Sequence, residues 1–579
     1  EMEETIMKFR KVLSGIIAGV AILAIGCIPV FADGDVARIG EQTYPTLVDA
    51  ITAAGSETTT IEVIADTSID STIVIDESQN ITITGQKIMR GSEFTGYLFD
   101  VEGNLTLENI TLDGDGENIE AQSALVGVGV RDVGINTATD KDQGILTIGE
   151  GAILTNNNNT LSHGSGSSTC FGGAVSNGGT VNMTAGTIES NVTTNANGGA
   201  VDNFGDFYMT GGIITKNDCV GVRNLGVFEA SNATISYNTK GGIYTSESVT
   251  LKNCLIEYNK RSLGGGIYLQ DYNKVDNGEI TKTLTLIGTT VSNNTATGKY
   301  GGGVWCNGHF YMDENSVISY NSSVNQGGGV YGGGDFEIYG TITNNTSNAG
   351  GGVYNYKTNE SSPGGNCLIG SSAVIENNEA ISSSGGGVCS WNNESLTLEA
   401  GCTIQNNSAV TSAGGVYVDG TLTNYGANIT GNTVNGAEDN LSVYNGNFIN
   451  GNKTYSSLEK ALVDAEPGET IEISSGTYDE DIVVDKAITL KGGEDVVFTK
   501  TIKITADGAT LDGINLKYEG GRSEAIGNAY GNVWIQGNNI TVKNCELYGA
   551  YDDTVTGIGG EFGLIWIPNS NTNIVLDNC

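Results

Sequence analysis

Asp552-Asp553 is the one pair of neighbouring aspartates in the chain. Paired carboxylates are what general acid–base hydrolysis requires. Adjacent residues of a strand point to opposite faces, so this pair converges only if the backbone bends. A solvated turn after Tyr551 is the competing reading, and no residue is assigned a catalytic role. The 2 histidines, His163 in SHGS and His309 in NGHF, have no Cys-x-x-Cys pair beside them, so a zinc site is not expected. Asp113-Gly114-Asp115-Gly116-Glu117 has the acidity of a calcium loop. Its glycine is misplaced for that motif and Ala124 occupies the closing acidic position, so it reads as a turn. No cofactor is expected; calcium remains only as a screening ion for the acidic surface.

A second set of residues suggests recognition rather than chemistry. Tyr244, Tyr268, Trp305, Tyr331, Tyr354 and Tyr417 each follow an apolar residue that itself follows glycine. Cys389 takes the place between Tyr354 and Tyr417, and Ser176, Asp202 and Arg223 hold it in earlier copies. If the apolar residue points inward, its successor points outward. One such residue per coil makes an exposed aromatic strip roughly 30 Å long. It could stack on sugar rings or anchor a protein, or simply pin strand register. The longer spans Asp271 to Lys282 and Lys357 to Asn366 read as loops beside it.

These residues are positioned by a repeat. A glycine cluster, an apolar residue and an aromatic, as in Gly301-Gly302-Gly303-Val304-Trp305, is followed by an I/V-x-x-N phrase. That phrase ends at Asn156, Asn191, Asn217, Asn238, Asn259, Asn294, Asn321, Asn345, Asn378, Asn407 and Asn432. The spacing, roughly 21 to 35 residues, is that of one supersecondary unit. It leaves no room for a crossover helix. Gly414 to Thr430 holds three short strands, which predicts a parallel β-helix with three faces. Val304, Val330, Val353, Val388 and Val416 should form one interior column, and Ile318, Ile342, Ile375, Ile404 and Ile429 another. Asparagine suits corners through its tolerance of left-handed backbone and its capacity for ladders; glycine suits the opposite corner.

Two phrases start such a solenoid. Tyr44 to Ala54 places Leu47, Ala50, Ile51 and Ala54 on one helical face, with Pro45 before it and Gly55 after. Thr454 to Ala465 repeats the design. An amphipathic helix can cover the open end of a solenoid. Two of them predict two domains, 33–449 and 450–579, the second broken off in mid-phrase at Cys579. Residues 1–32 read as an upstream extension, 1–6, and a secretory signal: Lys8, Arg10 and Lys11, an apolar run to Ile28, and Val30-Phe31-Ala32 before the cut. An imperfect lipoprotein box at Cys27 and an uncleaved anchor are the alternatives. Each places the body outside the cytoplasm, with membrane contact only through this segment or an unseen C-terminal anchor.

The 579 residues carry a formal net charge of -40, which repels nucleic acid. With 85 glycines and 5 prolines, the composition is that of a turn-rich all-β chain, short of low complexity. Of the 10 cysteines, Cys27 lies in the leader. Cys254, Cys545 and Cys579 end the similar phrases LKNC, VKNC and LDNC, so buried thiols at a repeated inward position are expected rather than disulfides.

The starting module, TIEISSGTYDEDIVVDKAITLKGG from Thr470, resembles the pectin-lyase-like right-handed parallel β-helix superfamily. The array from about Gly172 to Asn432 is similar to the repeats of polymorphic outer-membrane-protein-type bacterial surface adhesins, with GGAV at Gly172 and Gly198 and I/V-x-x-N in place of their F-x-x-N. The first resemblance implies the fold, but that fold hosts lyases, hydrolases and adhesins alike. Its lyases carry an R-x-P-x-x-R phrase and its glycosidases NTD, DD, GHG and RIK phrases. Asp552-Asp553 alone matches any of these, and neither histidine does. The expectation is therefore a secreted or cell-surface adhesin-like protein that binds glycans, polysaccharide or surface proteins without catalysis. An extracellular polysaccharide lyase or glycoside hydrolase is the alternative.

Overall fold

Short β-branched stretches with period-two burial, broken every few residues by Gly and Asn, cannot run as long strands and must wind. In the computed structural model the strands are two to six residues long. It describes residues 34–129, 144–161, 172–195, 198–272, 279–357, 365–392, 395–517, 533–548, 565–567 and 570–579. The leader, His163, Asp552 and Asp553, and most of the two expected loops lie outside these residues.

The chain is a three-faced parallel β-solenoid. One coil shows the plan. His309–Met312 lies on the first face and Val317–Ser319 on the second; a two-residue strand, Ser322–Ser323, comes next; a glycine turn then leads to Val330–Gly332 on the third. The second and third faces of the long array are 14-stranded sheets. The narrow fourth strand stacks into an 8-stranded sheet that two-residue segments did not announce in the sequence.

Period two sets the interior as expected. Val304, Val330, Val353, Val388 and Val416 pair in register, coil on coil, and are fully buried. Ile318, Ile342, Ile375 and Ile404 form the second column, with Ile429 only partly buried at its end. Burial of each such side chain stabilises the coil by about 1.5–3 kcal/mol.

The asparagines form a continuous internal ladder. Asn321 donates from its backbone N and its Nδ2 to Asn345 Oδ1, at 2.9 and 3.0 Å, and its other amide hydrogen reaches back to Val291 O at 2.9 Å. The same step recurs from Asn191 through Asn217, Asn238, Asn259 and Asn294 to Asn321, and onward through Asn378 and Asn407 to Asn432. Two expectations are corrected. The ladder begins at Asn157, not Asn156, because Leu154 rather than Ile153 faces inward. The left-handed angle belongs to the residue before each ladder asparagine, as at Asn293 (φ 57), Tyr320 (φ 56) and Asn344 (φ 56). That residue turns the corner, and so frees the asparagine to lie inside.

At the opposite corner Gly301 has φ 68. A Cβ on Gly302 would stand 2.3 Å from Gly328 O in the next coil. Stacked backbones, more than the turn angle alone, exclude side chains there.

Both starting modules are helix-bearing. Leu47–Ala54 buries Leu47, Ala50, Ile51 and Ala54, with Thr46 as N-cap and Gly55 as C-cap. Leu458–Asp464 buries Leu458, Ala461 and Leu462 under the N-cap Ser457. Each helix follows an antiparallel hairpin that hydrophobic patterning missed: Ala37–Ile39 with Gln42–Tyr44, and Phe448–Asn450 with Lys453–Tyr455. The second hairpin pairs on one side with Thr421–Thr423, in the last first-face strand of the long array, and on the other with Glu472 and Ile473. A separate apolar cluster begins at Phe448 and is enclosed by two further 4-stranded sheets.

Candidate functional site

The outward column of the third face is an aromatic ladder. In register, the coils bring Ser176, Asp202, Arg223, Tyr244, Tyr268, Trp305, Tyr331, Tyr354, Cys389 and Tyr417 into one file. Tyr244 and Tyr268 stack at 5.3 Å, Tyr268 and Trp305 at 4.3 Å, and Tyr331 and Tyr354 at 5.6 Å. All six aromatics of the expected strip are therefore brought together.

Their exposure is a correction. Trp305, Tyr331, Tyr354 and Tyr417 are each less than a tenth exposed, and only Tyr244 and Tyr268 are half-buried. The glycine turn that precedes each third-face strand folds back over its own aromatic. Gly327 lies so close that a Cβ would meet Tyr331 Cβ at 2.5 Å. Tyr300, Ala349 and Ala413 from these turns pack on the ladder, and Tyr300 stacks on Tyr331 at 4.5 Å. Outward from the coil is thus not outward to water. Burial pushes the phenols upward, Tyr268 to about 12 and Tyr331 and Tyr354 further still.

Solvent reaches the ladder along its rim. Two residues beyond the column, on the same side of the strand, stand Tyr356 and Trp391, paired in register. Tyr356 is half-buried and stacks on Tyr331 at 5.2 Å. Trp391 is 47% exposed and lies nearly parallel to Tyr417, ring centroids 6.0 Å apart. Asp419, whose carboxyl burial holds above its ordinary range, and the exposed Tyr444 follow at later coils. The signal for this rim was in the sequence: V-Y-N-Y places Tyr354 and Tyr356 two apart, and V-C-S-W places Trp391 two beyond the column residue Cys389, hence on the same face.

The other end is polar. Arg261 lies over the rings of Tyr244 and Tyr268, at 4.8 and 5.4 Å, and the Tyr244 and Tyr272 hydroxyls are 3.1 Å apart. Arg223 meets the fully buried Asp202 at 3.0 Å and covers Phe204. Buried charge of this kind is paired within the wall of the solenoid.

His309 is 3.5 Å from Glu337 on the first face. A shallow depression of about 170 Å³ on that face is lined by Tyr208, Glu229 and Lys252 among others. Asp113 Oδ1 accepts from Asp115 N and Asn156 Nδ2, both at 3.0 Å, and Asp113 pairs with Lys87, so this acidic turn is internally satisfied. No group of three metal-ligating side chains occurs among the described residues, nor any helix long and apolar enough to cross a membrane. Cys219, Cys254, Cys306, Cys367, Cys389, Cys402 and Cys545 are buried free thiols, and Cys579 is exposed.

The chain matches no protein-family model, no curated protein and no solved structure.

Proposed function

We propose that the chain is a secreted or cell-surface β-solenoid that binds glycans or surface proteins without chemistry, using the aromatic rim of its third face. The observation that carries this reading is Trp391: an aromatic of large area, 47% exposed, held parallel to Tyr417 at the edge of a ladder that is otherwise closed. A rigid aromatic standing in water beside a hydrogen-bonding carboxylate, Asp419, suits a sugar ring or an apolar anchor. The leader-like segment supports an extracellular setting. The resemblance of the starting modules to pectin-lyase-like right-handed β-helices, and of the array to surface-adhesin repeats, supports an extended binding surface. We take the two starting modules as heads of two solenoid domains, the second beginning near residue 450.

Glycan-array binding tests the proposal. Trp391→Ala should lower retention at least tenfold with thermal unfolding unchanged. Equal retention by the variant removes the rim from the function. Release of reducing sugar or unsaturated uronate from any polysaccharide replaces the reading with the enzymatic one.

A further inference from the structure

The corner between the second face and the short fourth sheet carries a different set of rings. The residue before each ladder asparagine turns this corner with left-handed backbone. In successive coils it is Lys216, Tyr237, Tyr258, Asn293, Tyr320 and Asn344, all with φ between 55 and 57. The corner demands this angle in every coil, and a bulky L-residue is rarely placed there. Tyr237, Tyr258 and Tyr320 are 48%, 41% and 61% exposed, so packing does not account for the choice.

Common backbone angles and common register send these side chains out in one direction. Glu257, Ser292 and Ser319, the residues just before Tyr258, Asn293 and Tyr320, pair coil to coil. Where tyrosine occupies neighbouring coils, Tyr237 and Tyr258 stack at 4.7 Å with planes 7° apart. The next coil breaks the stack with the short side chain of Asn293, and Tyr320 resumes it. Two coil steps put the flanking rings about 9–10 Å apart, the separation at which one further ring fits between them at stacking distance on both sides. Two residues further on, Lys260, Thr295 and Ser322 pair coil to coil on the fourth sheet, the lysine exposed and the two hydroxyl residues small and half-buried. Among the described residues the Asn293 amide and the Tyr258 and Tyr320 hydroxyls have no hydrogen-bond partner.

We infer that Tyr258, Asn293 and Tyr320 form a slot for a single neutral pyranose residue, its two C–H faces against the tyrosines and its hydroxyls on the Asn293 amide. The amide offers both donors and an acceptor, which a sugar rim satisfies and an aromatic side chain does not. None of Tyr258, Asn293, Tyr320, Thr295 and Ser322 is charged; the exposed Lys260 stands beside Thr295 in the Tyr258 coil, but a net charge of -40 disfavours an anionic sugar. The slot shares a ligand class with the third-face rim but lies on another edge of the prism.

Saturation-transfer NMR of the full chain with a panel of methyl pyranosides of glucose, galactose, mannose and N-acetylglucosamine tests it. Asn293→Tyr completes the ring stack from within, at a position where the protein already carries tyrosine in three coils. In a Trp391→Ala background, which removes the third-face rim, transfer should persist; there Asn293→Tyr should abolish it and Tyr320→Ala should weaken it at least tenfold. Absence of transfer to every sugar in the Trp391→Ala background, or transfer there that is unchanged by Asn293→Tyr or Tyr320→Ala, overturns the slot. Sugar binding lost only in Trp391→Ala overturns it too, while leaving the third-face reading standing.

Discussion

Arg90 Nη2 donates to Asn157 Oδ1 at 3.0 Å and closes the first end of the asparagine ladder. Each later asparagine offers its Oδ1 to donors in the preceding coil; Asn157, first in the file, offers it to a guanidinium. At the far end Asn432 donates to Asn440 Oδ1, and Asn440 Nδ2 donates to Glu438 Oε1 at 2.8 Å. A cation donates to the carbonyl end of the file and a carboxylate accepts from the amide end. Arg90 also donates to Gly96 O and Ala124 O. Burial alone draws its guanidinium down to about 10, so it is charged at neutral pH.

Arg90→Met keeps the volume and removes those donors, leaving buried carbonyl oxygens unmatched. Each costs about 1–3 kcal/mol. In a solenoid such losses stay local. Hydrogen exchange should therefore rise in residues 88–126 and 153–160 and leave residues 300–420 unchanged.

Within the ladder, Asn345→Asp should be worse than Asn345→Ala. The carboxylate cannot donate to Asn378 Oδ1 or Ile318 O, and it sets oxygen against oxygen in a buried site. Loss of about 3 kcal/mol or more is expected. Denaturant unfolding that ranks the two variants the other way contradicts the ladder as described.

The buried part of the aromatic strip is structural. Trp305→Ala should destabilise by about 3–5 kcal/mol through lost burial and cavity formation. Trp391→Ala, at an exposed site, should stay within about 0.5 kcal/mol. Thermal melts of the two variants separate the covered ladder from its open rim.

Alkali should loosen the third face. Unfolded tyrosine ionises near pH 10, whereas burial holds Tyr268 to about 12 and Tyr331 and Tyr354 higher. Above pH 10 the unfolded chain binds fewer protons than the folded one, so stability falls as pH rises. The contribution is fully present below about pH 10 and is lost through pH 12. The melting temperature should decline across that interval, less steeply in Tyr268→Phe with Tyr331→Phe.

Glycine substitutions should divide by stacking. Gly302→Ala drives a Cβ to 2.3 Å from Gly328 O and should prevent that coil from closing. Gly493→Ala meets nothing within 4 Å at an ordinary φ and should be neutral or stabilise by up to about 1 kcal/mol. Soluble yield and melting temperature report both.

Much of this architecture was legible because it depends on periodicity. The valine and isoleucine columns follow from period two, and the helix faces at Leu47 and Leu458 from spacings of three and four. The hairpins at Ala37 and Phe448 were not legible, since three-residue strands with mixed burial carry no period. The burial of Trp305 and Tyr331 was missed for a different reason. Side-chain direction can be read from a strand, but the turn that covers it cannot. Tyr258 and Tyr320 sat at the variable position of the asparagine phrase, and only backbone angles reveal that this position points to solvent.

The hairpin at Phe448–Tyr455 runs against both strands it joins. A parallel stack has no natural terminus and no phase mark, so an error of one lap could propagate indefinitely. Two antiparallel seams end one count and begin another. Laps inserted upstream of the seam would lengthen the array before it without shifting the register of the strands after it, so the two stretches can change length independently.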